Sequence, residues 1–322
     1  MEIFSNNKTY DFMGKKIPFL GLSGVLIIAS LVLLFTKGLN YGIDFVGGTV
    51  VQVKYDKEAP IDHIREVLQS TNYANSTVTE FGSKEEITIR FTGSTSDITN
   101  DISDEMHKIL DPTGNFEIRK IDMVGAKVGG ELRVKGVTAL ALALLAMLIY
   151  ITYRFEWKFA VASIIGLVHD VIISLGFISL FSIDVNLDMI AAILTLIGYT
   201  INDTIIVNDR IRETLHTSKQ TDLDALINES VSRTLSRTVL TSSTTWFVVV
   251  TMLLFGGEII YAFTFTLFVG IIIGTYSSIF VVSPFIKFLG FNINDYRSKE
   301  QQKEIAKKEK EKLRSMYEQG RV

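Results

Sequence analysis

Residues 188–213 read DMIAAILTLIGYTINDTIIVNDRIRE, and the rest of the chain is best interpreted around this stretch. Its length and apolar content are those of a membrane-spanning helix, yet it contains Asn202 and Asp203 and ends in charged residues. A carboxylate inside the hydrocarbon costs roughly 2.5 to 3.5 kcal/mol on insertion scales, so an intramembrane aspartate is treated first as a functional residue with a partner. The stretch therefore predicts a membrane protein with chemistry inside the bilayer.

Helical spacing places the polar residues of this stretch on one face. Thr195, Tyr199, Asn202 and Asp203 follow one another at i, i+4, i+7 and i+8. Because polar groups are unfavourable against lipid tails, we expect this stripe to face other helices.

Composition places the chain in the same class. It has 322 residues, of which 48% are hydrophobic and 21% are charged, and it has no cysteine. The lack of cysteine excludes disulfides and cysteine-based metal or nucleophile chemistry. A net charge of −3 gives no nucleic-acid signal, so membrane lipid is an expected partner and nucleic acid is not.

The N-terminal region predicts a signal anchor. A first span over residues 17–37 follows Lys8, Lys15 and Lys16, and no small-residue cleavage site follows it. Lysines before a span favour the cytoplasmic side, so residues 1–16 form a predicted cytoplasmic N-terminus.

Residues 38–133 contain no run long enough to span a membrane and predict an external (periplasmic) domain. Alternating or β-rich segments predict strands, and helical spacing predicts two helices, in the order strand 49–55, helix 61–68, strands 77–81 and 86–91, helix 98–109 and strand 116–121. The order β-α-β-β-α-β is that of an α+β, ferredoxin-like domain.

The remaining chain, residues 134–289, predicts five further spans. They cover residues 136–153, 159–181, 188–208, 238–255 and 259–289. An amphipathic segment over 218–236 is expected at the cytoplasmic surface, and residues 290–322 form a charged cytoplasmic tail. Basic residues in alternate loops place both termini in the cytoplasm. The fold class is thus a polytopic α-helical membrane protein with six transmembrane helices and one external domain between the first two.

Arg237, at the cytoplasmic end of the fifth span, is the candidate partner of Asp203, with Thr241 and Thr244 continuing the same face. An aspartate that gains and loses a proton beside a permanently charged arginine is a workable intramembrane relay. Alternatively, Arg237 is a positive-inside anchor and Asp203 caps or pairs locally.

Asp170, in the third span, is a second intramembrane carboxylate. It joins the relay or orients neighbouring helices by hydrogen bonding, and the sequence leaves both open. His169 precedes it directly and so points about 100° away on the helix, which predicts that the two do not share a partner.

Other features carry no predicted chemistry. His63 and His107 lack metal-ligand spacing, and the glycines near residue 45 lack the spacing of a nucleotide-binding loop. No nucleophile and base occur together in a recognisable motif, so no enzymatic activity is predicted. The KKEKEK run in the tail is typical of a solvated helix face and could also contact anionic lipid.

Five ordered motifs resemble those of the bacterial SecD/SecF family, which belongs to the resistance-nodulation-division superfamily. They are similar to the motifs of the smaller subunit, which pairs with SecD. They are GIDFVGG at 42–48, VGAKVGGEL at 124–132, the His169-Asp170 pair, IGYTINDTIIVNDRIRE at 197–213 and LSRTVLTSSTT at 235–245. The resemblance covers about residues 17–289, and the tail beyond it matches no motif of the family.

The resemblance implies a multi-pass protein of the bacterial cytoplasmic (inner) membrane whose bundle pairs with a similar one from SecD. It also implies a role at the SecYEG channel, where the proton-motive force is used to pull or hold emerging preproteins. YajC and YidC are further partners that the resemblance suggests. No cofactor is expected, and the coupling ion is a proton, with sodium left open.

Residue by residue, the resemblance makes Asp203 the relay carboxylate and Arg237 its arginine, with Asn202 beside them. Asp170 falls in a His-Asp motif of the family. The other matched positions are structural: Gly42, Asp44, Gly47 and Gly48 at the join to the external domain, and Gly198 and Thr241 in the bundle.

Two other functions stay open. One is a half-transporter of the superfamily for a small molecule or lipid, against which the single small external domain argues. The other is a scaffold of the translocase that conducts no ions, since an Asp-Arg pair can simply hold two helices together.

Overall fold

The computed structural model describes residues 8–81, 83–91, 99–257 and 260–318. Their helices and strands are, in order, α1 (Lys16–Thr36), β1 (Asn40–Tyr41), α2 (Ile43–Val46), β2 (Gly48–Tyr55), α3 (Ile61–Gln69), β3 (Thr77–Phe81), β4 (Ser83–Phe91), α4 (Thr99–Leu110), β5 (Phe116–Val124), α5 (Ala126–Arg154), α6 (Trp157–Leu180), β6 (Asp184–Val185), α7 (Leu187–Thr217), α8 (Leu223–Phe255), α9 (Tyr261–Ser277), α10 (Ser283–Phe288) and α11 (Ile293–Glu318). The predicted starts at Ile98 and Ile259 lie outside the described residues.

Six helical stretches of the described chain are long and apolar enough to cross a membrane. They are α1, residues 127–154 of α5, α6, α7, α8, and the stretch from α9 to α10. This confirms the predicted fold class.

The external domain is built on an antiparallel four-stranded sheet in the order β3-β4-β2-β5. Alternate residues of the central strands point into the core, where Val51, Val53, Ile87 and Ile89 are fully buried. Ile64 of α3 belongs to the same core. The period-2 alternation that predicts the strands thus also builds the ferredoxin-like domain.

Glycines allow a tight join between this domain and the membrane helices. Gly47 has a φ of 80° and Gly48 a φ of 138°, a region that favours glycine. A Cβ on Gly48 would lie 2.7 Å from the Phe91 carbonyl oxygen, and one on Gly129 of α5 would lie 2.9 Å from the Gly47 nitrogen. The glycine motifs of residues 42–48 and 124–132 therefore pack against each other.

Helices α6, α7 and α9 form the centre of the bundle, whereas α1, α5 and α8 are largely exposed. Phe159 and Ile173 of α6 and Ile211 of α7 are fully buried. By contrast, only 6% of the most apolar part of α5 is buried, and Leu142 and Ile149 are among its exposed side chains. The outer helices thus present apolar faces to lipid or to another subunit.

The predicted surface segment over 218–236 is not a separate element. Helix α8 runs without a break from Leu223 to Phe255, and its sequence contains neither glycine nor proline. The Asp222 side chain caps it by accepting from the Ala225 amide at 3.2 Å. Leu226 and Ile227 are fully buried, so this half of the helix is held by packing on the bundle and does not simply lie on the membrane surface.

Two other helices extend beyond their predicted spans. Helix α5 begins at Ala126, where a span was predicted from Gly136, and α7 continues to Thr217, past the predicted end at 208. The extra turns are polar and lie outside the apolar stretch that hydropathy detects. We call the end of the bundle where α7 ends and α8 begins, away from the external domain, the inner end.

The sixth span is interrupted. A π-helical segment, residues 278–282, separates α9 from α10. Pro284, in the first turn of α10, has no backbone N–H to donate, which locally weakens the α-helical ladder. Such π segments often occur at functional sites.

The charged tail forms α11, which is tied to the inner end near its start. The Arg297 guanidinium donates to the carbonyl oxygens of Leu215 at 3.0 Å and Ser218 at 2.6 Å. Most later residues of the helix are exposed, as expected of a solvated helix.

Candidate functional site

Asp203 lies within α7 and is buried, with 1% exposure. Its Oδ2 accepts a hydrogen bond from Ser242 Oγ of α8 at 3.2 Å, and Thr275 of α9 donates to the same Oγ at 2.8 Å. The other oxygen, Oδ1, is buried and has no hydrogen-bond partner in the described part of the chain. Three helices therefore meet at one carboxylate, where an unpaired charge is costly.

Arg237 lines a cavity of about 820 Å³ at the inner end, between α7 and α8. The other charged residues around this cavity are Asp209, Arg210, Glu213 and Arg233. Among the residues described, no hydrogen bond or ion pair joins Arg237 to Asp203. The predicted partner therefore lines the cavity and does not contact the carboxylate.

The predicted polar stripe divides between two environments. Asp203 is buried, whereas Thr195 and Asn202 are exposed on this chain, and Asn202 lines the inner cavity. The expectation that the whole stripe faces other helices is therefore wrong for these two residues within the chain. Adjacent residues on a helix point about 100° apart, so Asp203 can face α8 and α9 while Asn202 does not.

The hydroxyl that reaches Asp203 is not one of those predicted. Thr241 donates to the Arg237 carbonyl oxygen of its own helix at 2.9 Å, and Thr244 to the Leu240 carbonyl oxygen at 3.0 Å. Ser242, between them, faces the carboxylate. The run TSSTT signals a polar face, but only the packing of α8 on α7 decides which hydroxyl is central.

Asp170 of α6 forms a second buried polar site. It is 2% exposed, its Oδ1 lies 2.9 Å from His169 Nδ1, and its Oδ2 accepts from Ser277 of α9 at 2.9 Å. The two neighbouring side chains therefore reach each other despite their divergence on the helix. A Cβ on Gly274 would lie 2.0 Å from Thr200 Cγ2 and 3.5 Å from Asp170 Oδ2, so this glycine allows α6, α7 and α9 to approach closely.

Two polar contacts at the inner end are not predicted from the sequence. Asn208 of α7 is fully buried and donates to Ser163 of α6 at 2.9 Å. Arg154 of α5 pairs with Asp209 at 2.7 Å. Asparagine and serine are both common surface residues. Only their helical phase could therefore have indicated that Asn208 and Ser163 face each other.

The matched structural positions have different environments. Asp44 accepts from the Leu187 amide at the start of α7 at 3.0 Å, and the Gly42 amide donates to the Val185 carbonyl oxygen at 2.9 Å. Both tie the external join to the loop before α7. Gly198, by contrast, has no atom of the described chain within 4 Å of a Cβ built on it.

No group of three or more His, Asp or Glu residues that could hold a metal ion occurs in the described ranges. His63 lies 3.6 Å from Glu66, and His107 stacks on Phe116. Both histidines thus have ordinary local partners.

Family models match most of the chain. The model described as "Protein export membrane protein SecD/SecF, C-terminal" matches residues 105–292, and the "SecD/SecF GG Motif" model matches residues 32–59. The protein translocase subunit SecF of Helicobacter pylori is 45% identical over 323 residues and covers 100% of both chains. The subunit of the same name from Escherichia coli O157:H7 is 38% identical over 286 residues, which is 88% of each chain.

Two solved structures have the same fold. SecDF from Thermus thermophilus, described as a translocon-associated membrane protein, has a TM-score of 0.81 and 32% identity, covering 89% of this chain and 39% of that one. SecDF in a super-membrane-facing form has a TM-score of 0.64 and 31% identity, covering 94% and 40%. The chain thus spans about two fifths of the SecDF chains. The chain belongs to the SecF group of the SecD/SecF family of protein export membrane proteins.

Proposed function

We propose that this accessory subunit of the Sec translocase, a multi-pass protein of the bacterial inner membrane, acts with SecD to couple the proton-motive force to late-stage preprotein translocation. The observation that carries the proposal is the burial of the Asp203 carboxylate against the Ser242 hydroxyl, one residue from Asn202, which lines a cavity that opens at the inner end.

Asp203 is the proposed proton carrier. Burial favours its neutral form, whereas the positive charge of Arg237 and the hydrogen bond from Ser242 favour the anion. A carboxyl group under two opposed influences can change protonation state with modest changes in its surroundings. Movement of α8 relative to α7 would change both influences together, since α8 carries both partners.

The inner cavity is the proposed route between Asp203 and the cytoplasm. Its rim carries the carboxylates Asp209 and Glu213, and Asn202 lies on its wall next in sequence to Asp203. Polar walls and a volume of about 820 Å³ suit water, through which protons can reach the buried site. In this arrangement Asn202 orients water, whereas Asp209 and Glu213 are ion-paired with Arg154 and Arg210.

The orientation that fits is cytoplasmic termini with the domain of β2–β5 in the periplasm. Basic residues gather at the inner end, including Arg154, Arg210 and Arg233, as the positive-inside rule requires of a cytoplasmic face. The exposed apolar faces of α1, α5 and α8 suit SecD and lipid. SecYEG, YajC, YidC and the preprotein are the further proposed partners.

The energy source is an ion gradient, not hydrolysis. Proton coupling fits a single carboxylate with hydroxyl partners, and sodium remains the alternative ion, because carboxylate and hydroxyl oxygens also bind hard cations. Asp170 is proposed to act in the same process as a second buried carboxylate.

The test is export of a slow-folding secretory protein in cells that carry Asp203→Asn. We expect export to fall to the level of a strain that lacks the chain, while the complex with SecD still assembles. Asp188→Asn is the matched control, because Asp188 lies at the outer start of the same helix. Wild-type export with Asp203→Asn would exclude a relay through this residue.

A scaffold role is the second candidate, and one observation favours it. The hydrogen bonds of Ser242 join α7, α8 and α9 at Asp203. If Asp203→Asn lowers the amount of complex recovered with SecD in proportion to the loss of export, the carboxylate holds helices together and carries no protons.

A further inference from the structure

We propose that His169, Asp170 and Ser277 form a second proton-binding site inside the bundle, linked in function to Asp203 through helix α9, which bonds at both sites. This inference rests on the proposed function for the direction of proton movement. The binding site itself rests on geometry alone.

The His169-Asp170 pair is a closed, buried unit. Both residues are at most 3% exposed, and His169 Nδ1 lies 2.9 Å from Asp170 Oδ1. The second carboxylate oxygen is occupied by Ser277 at 2.9 Å. The other imidazole nitrogen, Nε2, is buried without a hydrogen-bond partner among the described residues.

The charge of this unit predicts that it binds one proton. With a neutral imidazole and an ionised carboxylate the buried pair carries one negative charge, and one added proton makes it neutral overall. The proton is then held either as imidazolium beside carboxylate or as imidazole beside carboxylic acid, and these forms differ only in the position of the proton on the 2.9 Å hydrogen bond. Neutralising a buried charge is favourable, so the unit is a proton acceptor.

Among the described residues, no other charged side chain forms a hydrogen bond or ion pair with His169 or Asp170. Tyr276 of α9 stacks on the His169 ring at 6.2 Å between centroids, and its hydroxyl donates to the Phe19 carbonyl oxygen of α1 at 2.5 Å. The π segment contains no titratable residue. Four charged residues on the neighbouring helices have other partners within the described chain. Lys16 of α1 and Lys287 of α10 pair with Asp224, Arg154 of α5 pairs with Asp209, and Asp203 of α7 accepts from Ser242.

Helix α9 reaches the sites of both carboxylates through separate hydroxyls. Thr275 bonds to Ser242, which bonds to Asp203, and Ser277, two residues further along α9, bonds to Asp170. Gly274, the residue before Thr275, lies against both Thr200 of α7 and Asp170, with no space for a side chain. The π segment begins immediately after Ser277, at the point where the helix is easiest to deform.

The direct test is the protonation of His169 in the complex. The chain contains four histidines. When the ¹⁵N-histidine-labelled chain is reconstituted with unlabelled SecD in lipid nanodiscs, only these four imidazole rings give signals. The signal that is lost in His169→Asn is that of His169. We expect the ring-nitrogen signals of His169 to differ between the wild type and Asp170→Asn at the same pH, because the proton shared on the Nδ1–Oδ1 hydrogen bond is lost with the carboxylate. Asp188→Asn is the control and should leave these signals unchanged, because Asp188 lies at the outer start of α7. Identical His169 signals in the wild type and Asp170→Asn overturn the proposal, whether or not Asp203→Asn abolishes export.

The connection is tested by proton flux into vesicles that contain the complex. Thr275→Val and Ser277→Ala are expected to lower the flux by at least about tenfold, since each interrupts a proton-transfer partner. Thr266→Val is the matched control, because Thr266 is a buried threonine of α9 that donates only to the Ala262 carbonyl oxygen of its own helix. Equal flux in Thr275→Val, Ser277→Ala and Thr266→Val overturns the connection. If instead Asp203→Asn leaves export unchanged while the His169 signals depend on Asp170, the relay proposed above fails and this binding site stands.

Discussion

Ser242 provides the one hydrogen bond that the Asp203 carboxylate has in the described part of the chain, and it also accepts one from Thr275. A single hydroxyl thereby serves as the link between two helices and a buried carboxylate. The Thr275 hydroxyl, the Ser242 hydroxyl and the Asp203 carboxylate form a chain of hydrogen bonds. The protonation state of Asp203 is therefore coupled to the contact between α8 and α9. Arg237 lines the inner cavity and forms no ion pair with Asp203 among the described residues.

At this residue, Ser242→Ala leaves the Asp203 carboxylate without a donor in a buried site. We expect the free energy of unfolding to fall by about 1 to 3 kcal/mol, the cost of a buried polar group that loses its partner. Denaturant titration of the chain in detergent measures this change. Ser174→Ala is the control, because the Ser174 hydroxyl is buried without a partner among the described residues and its removal is expected to cost little. Equal destabilisation by the two variants would show that the Ser242 hydrogen bond contributes nothing.

Among the helices, the contact of α7 with α9 depends on small residues. Gly274 lies against Thr200, and Gly270 lies where a Cβ would approach Leu196 Cδ2 to 2.4 Å. Close approach of the two helix backbones brings Thr275 and Ser277 to the level of the two buried carboxylates. Helix packing is thus a condition of the polar arrangement as well as of stability.

Gly274→Ala is expected to disturb this contact. An added methyl group would lie 2.0 Å from Thr200 Cγ2, so we expect a loss of about 1 to 3 kcal/mol through overpacking. Gly198→Ala, on α7, is the matched control, since it meets no atom of the described chain and an alanine favours a helix by up to about 1 kcal/mol. Thermal unfolding of the chain without SecD compares the two. A Gly274→Ala variant as stable as Gly198→Ala would contradict the close packing.

Some elements follow from the sequence because one periodicity dominates them. Strand β2 runs from Gly48 to Tyr55, within one residue of the predicted bounds, because its alternating residues place every second side chain in the core. Hydropathy predicts α8 as two separate segments because polar residues interrupt its apolar run, although nothing in the sequence ends the helix. The sequence does not predict Ser242 and Asn208, because a small polar residue in a helix becomes a site only when packing sets which face is buried. That information lies in the contacts between helices, not in any one segment.

On the scale of the whole molecule, the external domain is tied to the bundle at the loop before α7. Strand β1 pairs with β6 in parallel, and Arg90 of β4 forms an ion pair with Asp184 of β6. Asp44 adds the hydrogen bond to the Leu187 amide at the start of α7. Since α7 carries Asp203, the domain is attached directly to the helix that holds the proposed relay.

Arg90→Gln and Asp184→Asn are expected to loosen this attachment. Each removes one side of an ion pair whose side chains are 30% exposed, so their effects should overlap, with a coupling free energy of about 0.2 to 1 kcal/mol. Amide hydrogen exchange at residues 40–41 and 184–185 measures the opening of the small sheet. Lys84→Gln, in an exposed ion pair with Glu58, is the control and should leave that exchange unchanged. Protection unchanged in both junction variants would show that the ion pair does not hold the domain.

The most direct test of the central claim is proton flux through vesicles that contain the chain with SecD while a preprotein is being translocated. The proposed relay predicts a flux in the wild type that depends on preprotein and is lost in Asp203→Asn, with the complex intact. Undiminished flux in Asp203→Asn would contradict the account and make Asp203 a packing residue between α7 and α8.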